Sequence, residues 1–125
     1  MPQPYSVSQE FNKSLSILNQ WQLSDTEKAL LVGFAWQKEF DANSGSDMLA
    51  QESPEIEERM ALIASIDRSL NILYSDTALI RNWLRSSNSH ETFNGSTPLT
   101  FMCNGSIQSL QSIAALLAAW SAGNY

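Results

Sequence analysis

The sequence predicts an all-α protein, and three observations predict it. Apolar residues return every three or four positions in five separate stretches, which is the period of one helix face. Residues able to cap a helix stand ahead of most of those stretches. No run of alternating β-branched residues occurs anywhere, so nothing in the chain asks for a strand.

The elements follow in order. Met1 to Tyr5 holds two prolines and is expected to fray. From Val7 to Trp21 the residues Phe11, Leu15, Leu18 and Trp21 recur at helical spacing, with Ile17 beside them. Ser24-Asp25-Thr26-Glu27 then has the form of a capping box: the serine hydroxyl reaches the Glu27 N–H and the glutamate reaches back. Ala29, Leu30, Leu31 and Phe34 form the expected buried side of a second helix that pauses near Gly33. The stretch 41–47 is rich enough in Asp, Asn, Ser and Gly to be a loop. Ser53-Pro54 opens the longest helix, Glu55 to about Tyr74, with Pro at its first position and Glu55, Glu57 and Glu58 at the positive end of its dipole. Ile56, Met60, Ile63, Ile66 or Asp67, Leu70 and Leu73 give it a sustained stripe.

The stretch from Asp76 to Asn104 is the most informative. Leu79, Ile80, Trp83 and Leu84 are expected to share one stripe, with Asp76 or Ser75 as cap and Arg81 and Arg85 on the wet side near the C-terminal end. The helix stops in Ser86-Ser87-Asn88-Ser89, where Asn88 suits a turn. Asn94-Gly95, after Phe93, favours positive φ. Thr97 caps a short helix with Pro98 at its first position, and Leu99, Phe101 and Met102 supply its apolar contacts. Asn104-Gly105 closes it. Ser106 then caps a last helix that places Ile107, Leu110, Ile113, Leu117 and Trp120 on one side, ahead of the tail Ser121 to Tyr125.

Composition excludes several classes of function. With 43% hydrophobic residues the 125-residue chain can build a core without staples. Cys103 is the single cysteine, so no intrachain disulfide framework exists, and a reducing cytoplasm is the natural compartment. Neither a signal peptide nor a membrane-length apolar span is expected. The net charge of −6 sits in the front half: residues 1–60 carry ten acids against four bases, and residues 61–125 carry three of each. Phosphate binding needs Lys and Arg, so that half is poorly supplied for DNA. His90, the one histidine, reads as a solvent-exposed loop residue beside Glu91. No HExxH, CxxC, nucleophile elbow or phosphate-cradling glycine loop is present. No catalytic residue, metal ligand or cofactor is assigned, and the chain is not expected to be an enzyme.

The order Trp83-Leu84, Asn88, Phe93-Asn94-Gly95, Pro98-Leu99, Met102, Gly105 and the run from Ile107 to Trp120 resembles the toxin-binding domain of the Xre/MbcA/ParS family of bacterial antitoxins. The helix upstream, through Leu62 to Ile66 and Leu70 to Asp76, resembles the long helix leading into that domain. The resemblance implies a helical head with a degenerate helix-turn-helix over residues 1–50 and a toxin-binding domain over 51–125. It also implies a partner, a RES-type toxin that degrades NAD, whose active site the domain occludes. On that reading the partner-binding residues are Arg85, Ser87 and Asn88 at the first turn, Asn94 and Gly95 at the second, and Trp120, Gly123, Asn124 and Tyr125 at the tip. Trp83, Leu84, Pro98, Leu99 and Leu110 hold the platform together. Two other readings stay open. One is a transcriptional regulator that binds operator DNA as a homodimer through Gln37 and Lys38, although Glu39 and Asp41 beside them repel phosphate. The other is an orphan or prophage-borne relative that serves a different protein.

Overall fold

In the computed structural model, which describes residues 7–32, 54–104 and 106–123, helices follow one another along the chain. They are α1 (Val7–Gln20), α2 (Asp25–Val32), α3 (Pro54–Leu73), α4 (Thr77–Leu84), α5 (Pro98–Met102) and α6 (Ile107–Ser121). No strand occurs among the described residues, and the all-α expectation holds. Gly33, Phe34, the stretch 35–40 with Gln37 and Lys38, the stretch 41–47 expected to be a loop, Gly105, Asn124 and Tyr125 lie outside the described residues.

The α3–α6 pair is the axis of the molecule; α1 and α2 pack on α3, and α5 packs on α6. The sequence dictates this through matched stripes. Met60, Ile63, Ile66 and Leu70 of α3 are buried together with Leu110, Ile113, Ala114 and Leu117 of α6. Phe11, Ile17, Leu18 and Trp21 of α1 and Leu31 and Val32 of α2 enter the same core. Each large aliphatic side chain removed from water contributes roughly 2 kcal/mol, so this shared core dominates stability. The front helices and the rest of the fold are thus joined by one continuous apolar cluster.

The helix ends are made as the sequence predicts. Ser24 N–H donates to Glu27 Oε1 at 2.8 Å, and Glu27 N–H donates to Ser24 Oγ at 3.1 Å, completing the capping box. Asp76, rather than Ser75, caps α4 by accepting from Ala78 N–H at 2.9 Å. Thr97 Oγ1 accepts from Thr100 N–H at 3.0 Å and Ser106 Oγ from Gln108 N–H at 3.1 Å.

Three details depart from the expected stripes. Leu30 is 39% exposed, because Leu31 and Val32 take the inward face of the short α2. Leu79 is 47% exposed: Ile80 and Leu84, four apart, define the buried line of α4, and Leu79 lies about 100° round from Ile80. Arg81 and Arg85 are not simply solvated. Arg81 Nη1 donates to the Gln20 carbonyl at 3.1 Å and Arg85 Nη2 to the Gln22 carbonyl at 3.1 Å, so α4 holds the turn between α1 and α2. Gln22 sits at φ 60, a left-handed conformation that costs a non-glycine residue about 1 kcal/mol. Arg59 adds a second tie. It is 4% exposed, and its Nη1 donates to the carbonyls of Leu30 and Leu31 at 3.2 and 3.3 Å, fixing α2 to α3.

Candidate functional site

The last turn of α6 sets the site. Trp120 is half-buried there, packed against the core from the side opposite the Ser106 cap. The helix stops because Ala122 and Gly123 fold back onto it. Ala122 N–H donates to the Ala118 and Ala119 carbonyls, and Gly123 N–H to the Trp120 carbonyl at 3.0 Å. Gly123 adopts φ 92, the left-handed conformation that ends many helices and that glycine takes without a Cβ penalty.

Residues 88–96 form a loop closed on itself. Asn88 N–H donates to the Ser96 carbonyl at 3.1 Å, and Gly95 N–H donates to the Asn88 carbonyl at 3.0 Å, so the two ends are clipped together. Asn94 at φ 52 and Gly95 at φ 88 make the return, as Asn-Gly predicts. Inside the loop, His90 N–H donates to Asn88 Oδ1 at 2.9 Å, and Thr92 N–H donates to His90 Nδ1 at 3.1 Å. Phe93 is buried and anchors the loop from below, edge-on to Trp83 at 5.9 Å and to Phe101 at 5.5 Å between ring centroids.

His90 joins the two parts. Its ring meets Trp120 edge-on, with centroids 5.4 Å apart and planes at 81°, and tilts against Phe93 at 6.2 Å. Leu73 and Tyr74, where α3 ends, complete an open apolar cleft with His90 and Trp120. Burial pushes the Tyr74 phenol above its ordinary value, so it remains neutral. The expected solvent-exposed histidine is therefore corrected: the ring is half-buried among aromatic neighbours, and its Nδ1 is occupied. Spacing along the chain gives no hint that positions 90 and 120 meet; the loop brings His90 to the place where α3 and α6 both end.

Of the residues expected to face a partner, Asn88, Asn94 and Gly95 share the clipped loop, and Trp120 and Gly123 stand at the end of α6 that this loop touches. Ser87 is exposed just before the loop. Arg85 lies elsewhere, in a second cleft with Glu27, Thr97, Leu99, Thr100, Cys103 and Asn104. Trp83 is half-buried, whereas Leu84, Pro98, Leu99 and Leu110 are buried, in keeping with a platform role.

Burial, with Glu27 nearby, pushes the Cys103 thiol up to about 11 against a smaller opposing effect of Arg85, so it is a poor nucleophile. No group of three or more His, Cys, Asp or Glu able to hold a metal occurs among the described residues. No helix of the described residues is long and apolar enough to cross a membrane.

The site is thus a helical platform that presents a clipped loop and a half-buried tryptophan. Residues 69–123 match the family model of the antitoxin Xre/MbcA/ParS C-terminal toxin-binding domain. The family is one of antitoxins rather than enzymes, and its domain binds a toxin. No curated protein matches the chain.

Proposed function

We propose that the chain neutralises a RES-type, NAD-degrading toxin by seating the end of α6 and the 88–96 loop over the toxin's active site. The observation that supports this most is the half-exposed Trp120, held by a closed loop within the matched segment. Tryptophan is favoured as an anchor at protein interfaces. A loop already clipped by Asn88, Gly95 and Ser96 loses little freedom on docking, which favours affinity. Occlusion needs no chemistry from the antitoxin itself. On this reading residues 51–125 are the toxin-binding domain, residues 1–50 are a head packed on it, and the pair acts in the cytoplasm.

The test is a pull-down of the tagged chain from its host, with NAD consumption assayed on whatever is recovered. A small NAD-consuming enzyme suppressed by stoichiometric antitoxin supports the reading. Recovery of an unrelated protein, or of the chain alone, removes it.

A further inference from the structure

We infer that His90 is a positioning residue for Trp120, and that it acts through the edge-on contact of its ring rather than through solvent or charge. The inference rests on the reading of the tip as the toxin-facing surface, and adds to it the residue that sets the tip's shape. Three observations carry it. The His90 and Trp120 rings meet at 5.4 Å and 81°, the arrangement that aromatic quadrupoles favour. The histidine itself is fixed at backbone and ring, because its backbone N–H donates to Asn88 Oδ1 and its ring Nδ1 accepts from Thr92 N–H. Its third neighbour, Phe93, is buried and stacks edge-on with Trp83 and Phe101. A line of ring contacts therefore runs from the platform through Phe93 and His90 to Trp120.

Without His90, Trp120 keeps the core on its inner side but loses the wall on its outer side. Its side chain then samples more rotamers, and the partner must pay the cost of ordering it on binding. The loop and the helix end would become two separate contact points where the structure makes one.

Two substitutions separate the ring from the hydrogen bond. His90→Asn keeps an acceptor for Thr92 N–H, since asparagine bonds backbone two residues on, but removes the ring. His90→Phe keeps a ring against Trp120 and removes the acceptor. The first readout is acrylamide quenching of Trp120 emission on the full chain, taken as the difference from Trp120→Phe in each background. His90→Asn is expected to shift that emission to the red and make it more accessible, while His90→Phe stays near wild type. The second readout is neutralisation of a RES-type toxin, expected about three- to tenfold weaker in His90→Asn and restored in His90→Phe. Unchanged quenching in His90→Asn overturns the inference. Equal weakening by both substitutions also overturns it, by placing the effect in the loop bond. If wild type itself neutralises no such toxin, the toxin reading fails, while the quenching difference still decides whether His90 sets Trp120.

Discussion

Arg85 and Glu27 meet as a two-point pair: Arg85 Nη2 lies 3.1 Å from Glu27 Oε1, and Nη1 lies 3.3 Å from Oε2. The same Oε1 accepts the Ser24 N–H, so one carboxylate caps α2 and receives α4 at once. Through it the turn between α1 and α2 is tied to the segment that leads into the 88–96 loop. Arg85 is thereby engaged within the chain, at a distance in sequence of 58 residues.

Removing either side of this pair separates its two duties. Arg85→Ala should cost about 0.5–1 kcal/mol, because the Arg85 side chain is 47% exposed and water screens the charge. Glu27→Ala loses the cap as well and should cost about 1 kcal/mol more. Thermal melts of both single variants and the double variant measure this; equal losses would show that the cap contributes no more than the Arg85 bond to the Gln22 carbonyl.

The pair also predicts an acid limb. Burial pushes the Glu27 carboxyl up, but the bonds from Arg85 and Ser24 together outweigh it and hold the carboxyl below its ordinary value of 4.5. The unfolded chain then binds the proton more tightly. The stabilisation is fully present above 4.5 and disappears as pH falls through the depressed folded value. Glu27→Gln should flatten the loss of stability over that range in urea unfolding curves. An unchanged acid limb would assign it to other carboxylates.

Asp67 should behave in the opposite sense. Burial pushes its carboxyl above the ordinary 3.8, although the Trp21 indole and Asn71 oppose the shift. Trp21 Nε1 is buried and comes near this carboxyl without closing a hydrogen bond of ordinary geometry. Here the folded chain binds the proton more tightly, so stability falls as pH rises from the ordinary value through the raised one. Asp67→Asn should remove that decline and leave the protein at least as stable at pH 7. A clear loss of melting temperature at pH 7 would mean that the carboxylate is a net stabilising partner of α1.

The two left-handed glycines make a purely backbone prediction. A Cβ added at Gly95 or Gly123 would meet nothing within 4 Å, yet φ is 88 and 92. Gly95→Ala should therefore cost about 1–2 kcal/mol, through conformation alone. At Gly123, at the end of α6, fraying relieves part of the strain and the cost should be smaller. Equal stability of Gly95→Ala and wild type in chemical denaturation would show that the loop relaxes out of this conformation.

Trp83→Ala tests the platform. The ring is half-buried and edge-on to Phe93, so the loss should fall near 2–3 kcal/mol, below that of a fully buried tryptophan. A variant of wild-type stability that fails to bind its partner would put Trp83 on the binding surface.

The helices were legible because each carries its own period and four of them, α2, α4, α5 and α6, a cap beside it. Ser24 with Glu27, Asp76, Thr97 and Ser106 all act over two or three residues, which is the range a sequence displays. The stripes of α1, α3 and α6 were equally plain, since burial there follows the helical period over many residues. Leu79 and Leu30 depart from the expected stripes because an eight-residue helix gives too few turns to fix which edge of an apolar run faces in. What stayed hidden were contacts between distant segments. Arg85 with Glu27, Arg59 with the α2 carbonyls, and His90 with Trp120 join positions that no local spacing links. The Asn94-Gly95 turn could be read, whereas the clip from Asn88 to Gly95 and Ser96 could not.

The central claim is that the end of α6 is the toxin-facing tip. The direct measurement compares wild type with Trp120→Ala, and with a chain that also lacks Gly123 to Tyr125, for inhibition of NAD consumption by the recovered toxin. Melting temperature and helical content are recorded on the same samples. The expected result is a loss of about 2 kcal/mol in binding, a hot-spot effect, with helical content retained. Undiminished inhibition by both variants would contradict it and remove the tip from the interface.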